Sequence, residues 1–358
     1  MKRRSAYWLI ISLAFSLLVG CLTVDHSPAV IDTVAASLYL PPEQDFRIVV
    51  ISDLNSQYGS TEYEPEVTQA IALIPKWQPD LVLCGGDMIA GQKTSLTKSE
   101  IESMWAAFDN QIAAPLRSQQ IPFGFTIGNH DGSGAIKEQT LIFSQERELA
   151  QAYWQQQDSS LNFVDRANFP FYYTFKQHEI FFLVWDASTA EISPQQLDWI
   201  EQTLQSSEAQ QAKVRIVLGH LPLYPVAQTK NKLGEYLTEG DKLRSLLVEN
   251  QVLGYVSGHH HVYYPGKINN LELLHAGALG QGARQIINSE SLPRKTLTVM
   301  DLNLSKTDFT YTTYDATTWQ PISLEQLPAF IPFSHGKIWR HDQKSLKKSL
   351  KKPSSFQG

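Results

Sequence analysis

Cysteine is nearly missing: the 358 residues hold two, Cys21 and Cys84. That excludes a disulfide framework and a thiolate metal cluster, leaving oxygen and nitrogen donors for any metal chemistry. Cys84 ends the apolar run Leu81-Val82-Leu83-Cys84 and reads as an inert buried thiol. No disulfide is expected. Positive charge is also scarce in the body of the chain. The formal charge is −6, although residues 337–358 alone hold seven Lys or Arg against one Asp. An acidic body argues against broad nucleic-acid binding, which needs basic surface against phosphate. The apolar run from Ala6 to Val19 is shorter than the roughly 20 residues of a comfortable membrane span. There is no internal repeat, and the spacing of Gly277, Gly280 and Gly282 is not a dinucleotide fingerprint.

What is present begins with a basic start, Lys2-Arg3-Arg4, the short apolar run and small residues at its end. This is the layout of an export signal. Leu18-Val19-Gly20-Cys21 resembles a bacterial lipoprotein cleavage box. The resemblance implies cleavage before Cys21, lipidation of its thiol and a membrane-anchored protein on the periplasmic or extracellular face. An ordinary cleaved signal or an uncleaved anchor are the alternatives, and both also put the domain outside the cytoplasm. The expected organisation is signal 1–20, tether 21–44, one globular domain 45–318, a C-terminal extension 319–336 and a disordered basic tail 337–358. The tail is either solvated or drawn to anionic headgroups.

Within the domain, strand-like and helical stretches alternate, which predicts α/β architecture with a mostly parallel sheet. Strands are expected at 46–53, 81–86, 122–127, 214–218 and 252–257. Helices are expected after Pro65, along the stripe Ile101, Met104, Trp105, Phe108 and Ile112, after Ser193-Pro194, and at 241–250. A polar stretch at about 137–157 reads as helix. Phe169–Lys176 and Glu179–Asp186 read as a hairpin. Leu271–His275, Leu297–Leu304 and Phe309–Tyr314 suggest a separate antiparallel sheet.

Five strand-like runs end in the same kind of residue. Ile48–Ile51 leads to Asp53 and Asn55, Leu81–Cys84 to Gly86-Asp87, and Phe123–Ile127 to Gly128-Asn129-His130-Asp131. Arg215–Leu218 leads to Gly219-His220, and Gly254–Ser257 to Gly258-His259-His260-His261. Carboxylate, amide oxygen and imidazole suit Mn, Fe, Zn or Mg. A shared Asp can bridge two such cations, so the set points to a two-metal centre.

In this order the blocks resemble the calcineurin-like metallophosphoesterase family over roughly residues 45–285. The resemblance implies a four-layer α-β-β-α sandwich of two mixed sheets flanked by helices. It implies a phosphate mono- or diester substrate and hydrolysis through a metal-bridging hydroxide. Two divalent ions, manganese first among them, would divide the ligands. One takes Asp53, Asn55, Asp87 and His261; the other takes Asp87, Asn129, His220 and His259. His130 would face the leaving group, with Asp131 orienting its ring. His260 lies between two ligands and is excluded.

One position departs from the family: Asn55 stands where most members have His. An amide oxygen is a harder, neutral donor. The departure leaves two readings, a dinuclear phosphoesterase or a single-metal surface binding protein on the same fold.

Overall fold

The computed structural model describes residues 28–343. Two large sheets carry one continuous core. The smaller has six strands, in the order Gln320–Pro321, Asp308–Asp315, Thr296–Asn303, Phe46–Ile51, Leu81–Cys84, Phe123–Phe125. The larger has nine, in the order Phe330–Phe333, Gly336–Arg340, Tyr264–Ile268, Leu271–His275, Gly254–Ser257, Val214–Leu218, Ile180–Val184, Tyr172–Gln177, Asn162–Asn168. Each has a parallel centre, 46–51 beside 81–84 beside 123–125 in one, and 180–184, 214–218, 254–257 and 271–275 in the other.

Every residue of 46–51, 81–84, 214–218 and 254–257 is buried, so both faces of these strands are covered. That is why they read as unbroken apolar runs instead of alternating ones. The sheets face each other. Tyr173 of the larger sheet donates through its hydroxyl to Phe125 O of the smaller at 2.6 Å, and Gly254 leaves space for Phe309. Helices close the outer faces as parallel crossovers require. Pro65–Leu73 and Lys98–Phe108 serve the smaller sheet, Pro194–Leu204 and Gly240–Glu249 the larger. The Lys98 helix starts with a capping box of Thr97 and Glu100, and the Pro194 helix with Ser193 accepting from Gln196 N. Arg47 and Asp301 face each other across adjacent strands as a buried ion pair at 2.8 Å.

Four sequence expectations change. The stretch at 137–157 is not one helix: Ile136–Lys137 and Thr140–Leu141 form a hairpin, and helix begins only at Ser144. Glu138 and Gln139 both adopt positive φ, the geometry of a two-residue hairpin turn. The late strands do not make a separate sheet. Leu271–His275 extends the larger sheet in parallel, while Thr296–Asn303 caps the otherwise open edge of Phe46–Ile51. Part of the expected tether is helix, Pro28–Ser37, because Val34, Ala35 and Leu38 pack on the core. The expected disordered tail starts inside a strand, Gly336–Arg340, whose Ile338 is fully buried. The export signal, Cys21 and the basic run beyond residue 343 lie outside the described residues. Cys84 is a free, buried thiol.

Candidate metal centre

The carboxyl ends of the parallel strands meet at one edge of the sandwich. Asp53, Asp87, His259 and His261 all take left-handed backbone conformations, with φ of 51°, 55°, 61° and 53°. Each is a non-glycine residue held where L side chains are disfavoured, at a cost of order 1–3 kcal/mol. The loops are laced together to hold them there. Asp53 N donates to Gly86 O at 2.9 Å, Leu54 N to Asp87 O at 2.9 Å, Gly258 N to His220 O at 3.0 Å, and Gly280 N to Asp53 O at 2.9 Å. Gly128 lies hard against Asp87. A Cβ there would lie 2.1 Å from Asp87 Oδ1 and 2.4 Å from Asp87 N.

Two groups of ligand atoms gather within 4.8 Å, Asp87 with His220 and His259, and Asp53 with Asp87 and His261. Asp87 belongs to both. His220 Nδ1 donates to Gly85 O at 2.7 Å. Its Nε2 is thereby aimed at Asn129 Oδ1, 3.0 Å away, and Asp87 Oδ2, 3.3 Å away. Asn129 presents oxygen because its Nδ2 donates to Gln92 Oε1 at 2.7 Å. That same oxygen lies 2.8 Å from His259 Nδ1. In the other group, His261 Nδ1 is held by Gly282 O at 3.0 Å, and Nε2 sits 3.2 Å from Asp53 Oδ1. Ser52 donates to Asp53 Oδ2 at 2.6 Å. Asn55 is buried beside them on the cleft wall, its backbone N–H on Asp87 O at 3.1 Å.

Lone pairs therefore converge on lone pairs, which only a proton or a cation can reconcile. The ionisation pattern reflects this. Burial opposes charge on Asp87, yet His220 and His130 together hold its carboxyl well below the usual range. Burial opposes charge on His220 too, but Asp87 outweighs it and pushes the imidazole up to about 9. Burial, with His220 nearby, keeps His259 neutral, the form that ligates. Oxygen and imidazole donors in two groups sharing one carboxylate fit divalent cations.

His130 forms part of the cleft wall. Its backbone N–H donates to Asp87 Oδ1 at 2.8 Å, its Nε2 lies 3.8 Å from Asp87 Oδ2, and Tyr58 stacks on its ring at 5.1 Å. Asp131 does not orient that ring. Its oxygens accept the N–H groups of Met88, Ile89 and Gly128 at 2.7, 2.9 and 2.9 Å. It thus ties the Asp87 loop to the Asn129 turn, and His130 Nδ1 is buried with no hydrogen-bond partner among the described residues. Burial, reinforced by Asp87, pushes the Asp131 carboxyl up to about 7. His260 turns away from the cluster and accepts Val226 N at 3.1 Å.

Sequence reasoning missed Gln92, which orients Asn129, and Gly282, whose carbonyl fixes the His261 tautomer. It also missed Lys230 and Glu235 beside His259. Gln92, Glu235 and Gly282 sit in irregular loops and Lys230 ends a single 3-10 turn, Gln228–Lys230, where no spacing rule signals them. The ligand groups open into a cleft of about 1750 Å³, with Lys93, Lys230, Lys232 and Arg284 along its walls. Arg284 Nε is buried without a hydrogen-bond partner among the described residues.

The family model described as calcineurin-like phosphoesterase matches residues 46–263. The chain is 25% identical over 241 residues to the serine/threonine-protein phosphatase CPPED1 of Rattus norvegicus, covering 63% of this chain and 69% of that one. It is 41% identical over 71 residues to the manganese-dependent ADP-ribose/CDP-alcohol diphosphatase of Xenopus laevis, 20% of this chain and 19% of that one. Among solved structures, the purple acid phosphatase PPD1 of yellow lupin seeds superposes with a TM-score of 0.55 at 17% identity, over 79% of this chain and 54% of that one. The chain thus spans about half of the lupin protein. GAP50, the anchor in the inner membrane complex of Plasmodium, gives 0.51 at 15% identity, over 78% and 87%. At these identities the solved structures speak for the fold alone.

Proposed function

The chain belongs to the calcineurin-like phosphoesterase family, and we propose that this metal-dependent phosphoesterase cleaves a phosphate mono- or diester at a dinuclear centre built around Asp87, outside the cytoplasm. The observation that carries the reading is the convergence of two ligand groups on that one buried carboxylate. In this assignment Asp53, Asn55, Asp87 and His261 hold one cation, and Asp87, Asn129, His220 and His259 hold the other. Bound divalent cations neutralise phosphoryl charge and lower the pKa of water toward neutrality.

The chain's own groups do the rest. His130, on the cleft wall beside Asp87, gives a proton to the departing oxygen, and Tyr58 keeps its ring from turning. Arg284, whose Nε has no partner among the described residues, and Lys230 supply positive charge to the parts of the substrate beyond the scissile bond. The amide at Asn55 makes the first position a hard, oxygen-rich one and favours Mn or Mg over Zn. Cys21, lipidated after export, anchors the domain at a membrane; labelled-palmitate incorporation lost in Cys21→Ser checks this.

The central test is release of nitrophenol from aryl phosphate mono- and diesters with Mn²⁺ supplied. Turnover that persists unchanged in Asp87→Ala would rule the assignment out. Asn55 also favours a second reading, in which one cation serves ligand capture without turnover. Two ions per chain with turnover support the enzyme; one ion and silence across a broad ester panel support the binder.

A further inference from the structure

Glu235 stands outside every motif of the chain, in the loop between Val214–Leu218 and the Gly240–Glu249 helix. Its Oε2 is 2.9 Å from His259 Nε2 and 2.7 Å from Lys230 Nζ. Lys232 Nζ lies 3.6 Å from Oε1. The backbone of Glu235 is pinned independently. His260 Nδ1 accepts the N–H groups of Val226 and Ala227 at 3.1 and 3.3 Å, so a neutral His260 carries its proton on Nε2, which donates to Glu235 O at 2.8 Å. Two consecutive histidines therefore grip one loop residue, His260 by its main chain and His259 by its side chain.

The consequence concerns a tautomer. An ionised carboxylate only accepts, so the His259 nitrogen facing Glu235 at 2.9 Å carries the proton, while Lys230, which could only donate to that nitrogen, stands off at 3.5 Å and gives its hydrogen bond to Glu235. The other nitrogen, Nδ1, is then a bare lone pair aimed at the group formed with Asn129 and Asp87. His220 and His261 get the same service from the carbonyls of Gly85 and Gly282. His259 alone of the three relies on a charged side chain. We propose that Glu235 is a positioning residue, held by Lys230 and the His260 grip, that fixes the His259 ring and tautomer for the cation shared with Asp87 and His220. This rests on the dinuclear reading above.

Mn²⁺ binding to the full chain, followed by calorimetry and by metal content after dialysis, tests it. Glu235→Ala should lose roughly 10–100-fold in affinity for one of the two ions, the usual cost of removing such an outer partner, and keep the other. Glu235→Gln, close in shape and still an acceptor, should lose less, and both variants should melt like wild type when metal-free. Unchanged affinity for both ions in Glu235→Ala, with two ions bound by wild type, or a loss in Glu235→Gln as large as in Glu235→Ala, overturns the role of Glu235 and leaves the centre standing. A wild-type chain that binds no Mn²⁺, or an Asp87→Asn variant that binds it equally well, overturns the centre itself and Glu235's role with it.

Discussion

At the scale of the residue, function rests on atoms with no spare room. Gly128→Ala would drive a methyl group into the Asp87 carboxylate. Phosphoesterase activity should fall below detection, while a melting curve still shows a folded protein. His130 offers a finer test. If it protonates the departing oxygen, His130→Ala should lower kcat about 10²–10⁴-fold on alkyl esters and much less on nitrophenyl esters, whose leaving group needs little help. Steady-state rates on the two substrate kinds check the split. The candidate ligands were legible in the sequence because each closes a strand with a donor side chain. Asp131 was misread because adjacency to His130 says nothing about direction; only the folded turn shows its oxygens spent on three backbone amides.

At the scale of the element, the strands carrying the ligands are secured by buried polar groups that can be tested one at a time. Asp301→Ala would leave the Arg47 guanidinium unpaired between two strands, although Trp77 O and Pro41 O still accept from it. Loss of a buried partner of this kind costs about 3–5 kcal/mol, measurable by urea denaturation. Glu272 presents the opposite case. It sits in Leu271–His275, its Oε2 has no partner among the described residues, and burial pushes its carboxyl up to about 7. A carboxyl whose folded pKa lies above the unfolded one stabilises fully below the unfolded value and loses that contribution as pH rises through about 7. Glu272→Gln should therefore match wild type near pH 4 and gain about 2–3 kcal/mol near pH 8, by denaturation at both pH values. The central strands were readable as apolar runs with glycine at their ends. The Ile136–Leu141 hairpin and the Asn162–Asn168 strand were not, because exposed edge segments carry no buried face to impose a period.

At the scale of the whole molecule, the centre is a seam between the sheets. Asp53, Asp87 and Asn129 follow strands of the smaller sheet, and His220, His259 and His261 follow strands of the larger. Cations that bind only the folded chain should raise its stability, by about 2.7 kcal/mol at a free concentration a hundred times Kd. Chelation should lower the melting temperature of wild type and leave Asp87→Asn unmoved, as calorimetric scans would show. The parallel strands at the centre of each sheet were foreseeable from the alternation of strand and helix, whereas the two-sheet sandwich followed only from the family resemblance. The sorting of late strands between the sheets was not foreseeable, since pairing partners are chosen by which ladder edges remain open.

The last of the proposed ligands in chain order is His261, and the carbonyl that steadies it belongs to Gly282. A product ending before His261 lacks a ligand of the group formed with Asp53 and Asp87, and one ending before Gly282 lacks the carbonyl that steadies it, however well the first half collapses. Synthesis halted midway would therefore release fragments with an incomplete cluster, and the steadied set of ligands would come to the polypeptide late, only once residue 282 had been laid down.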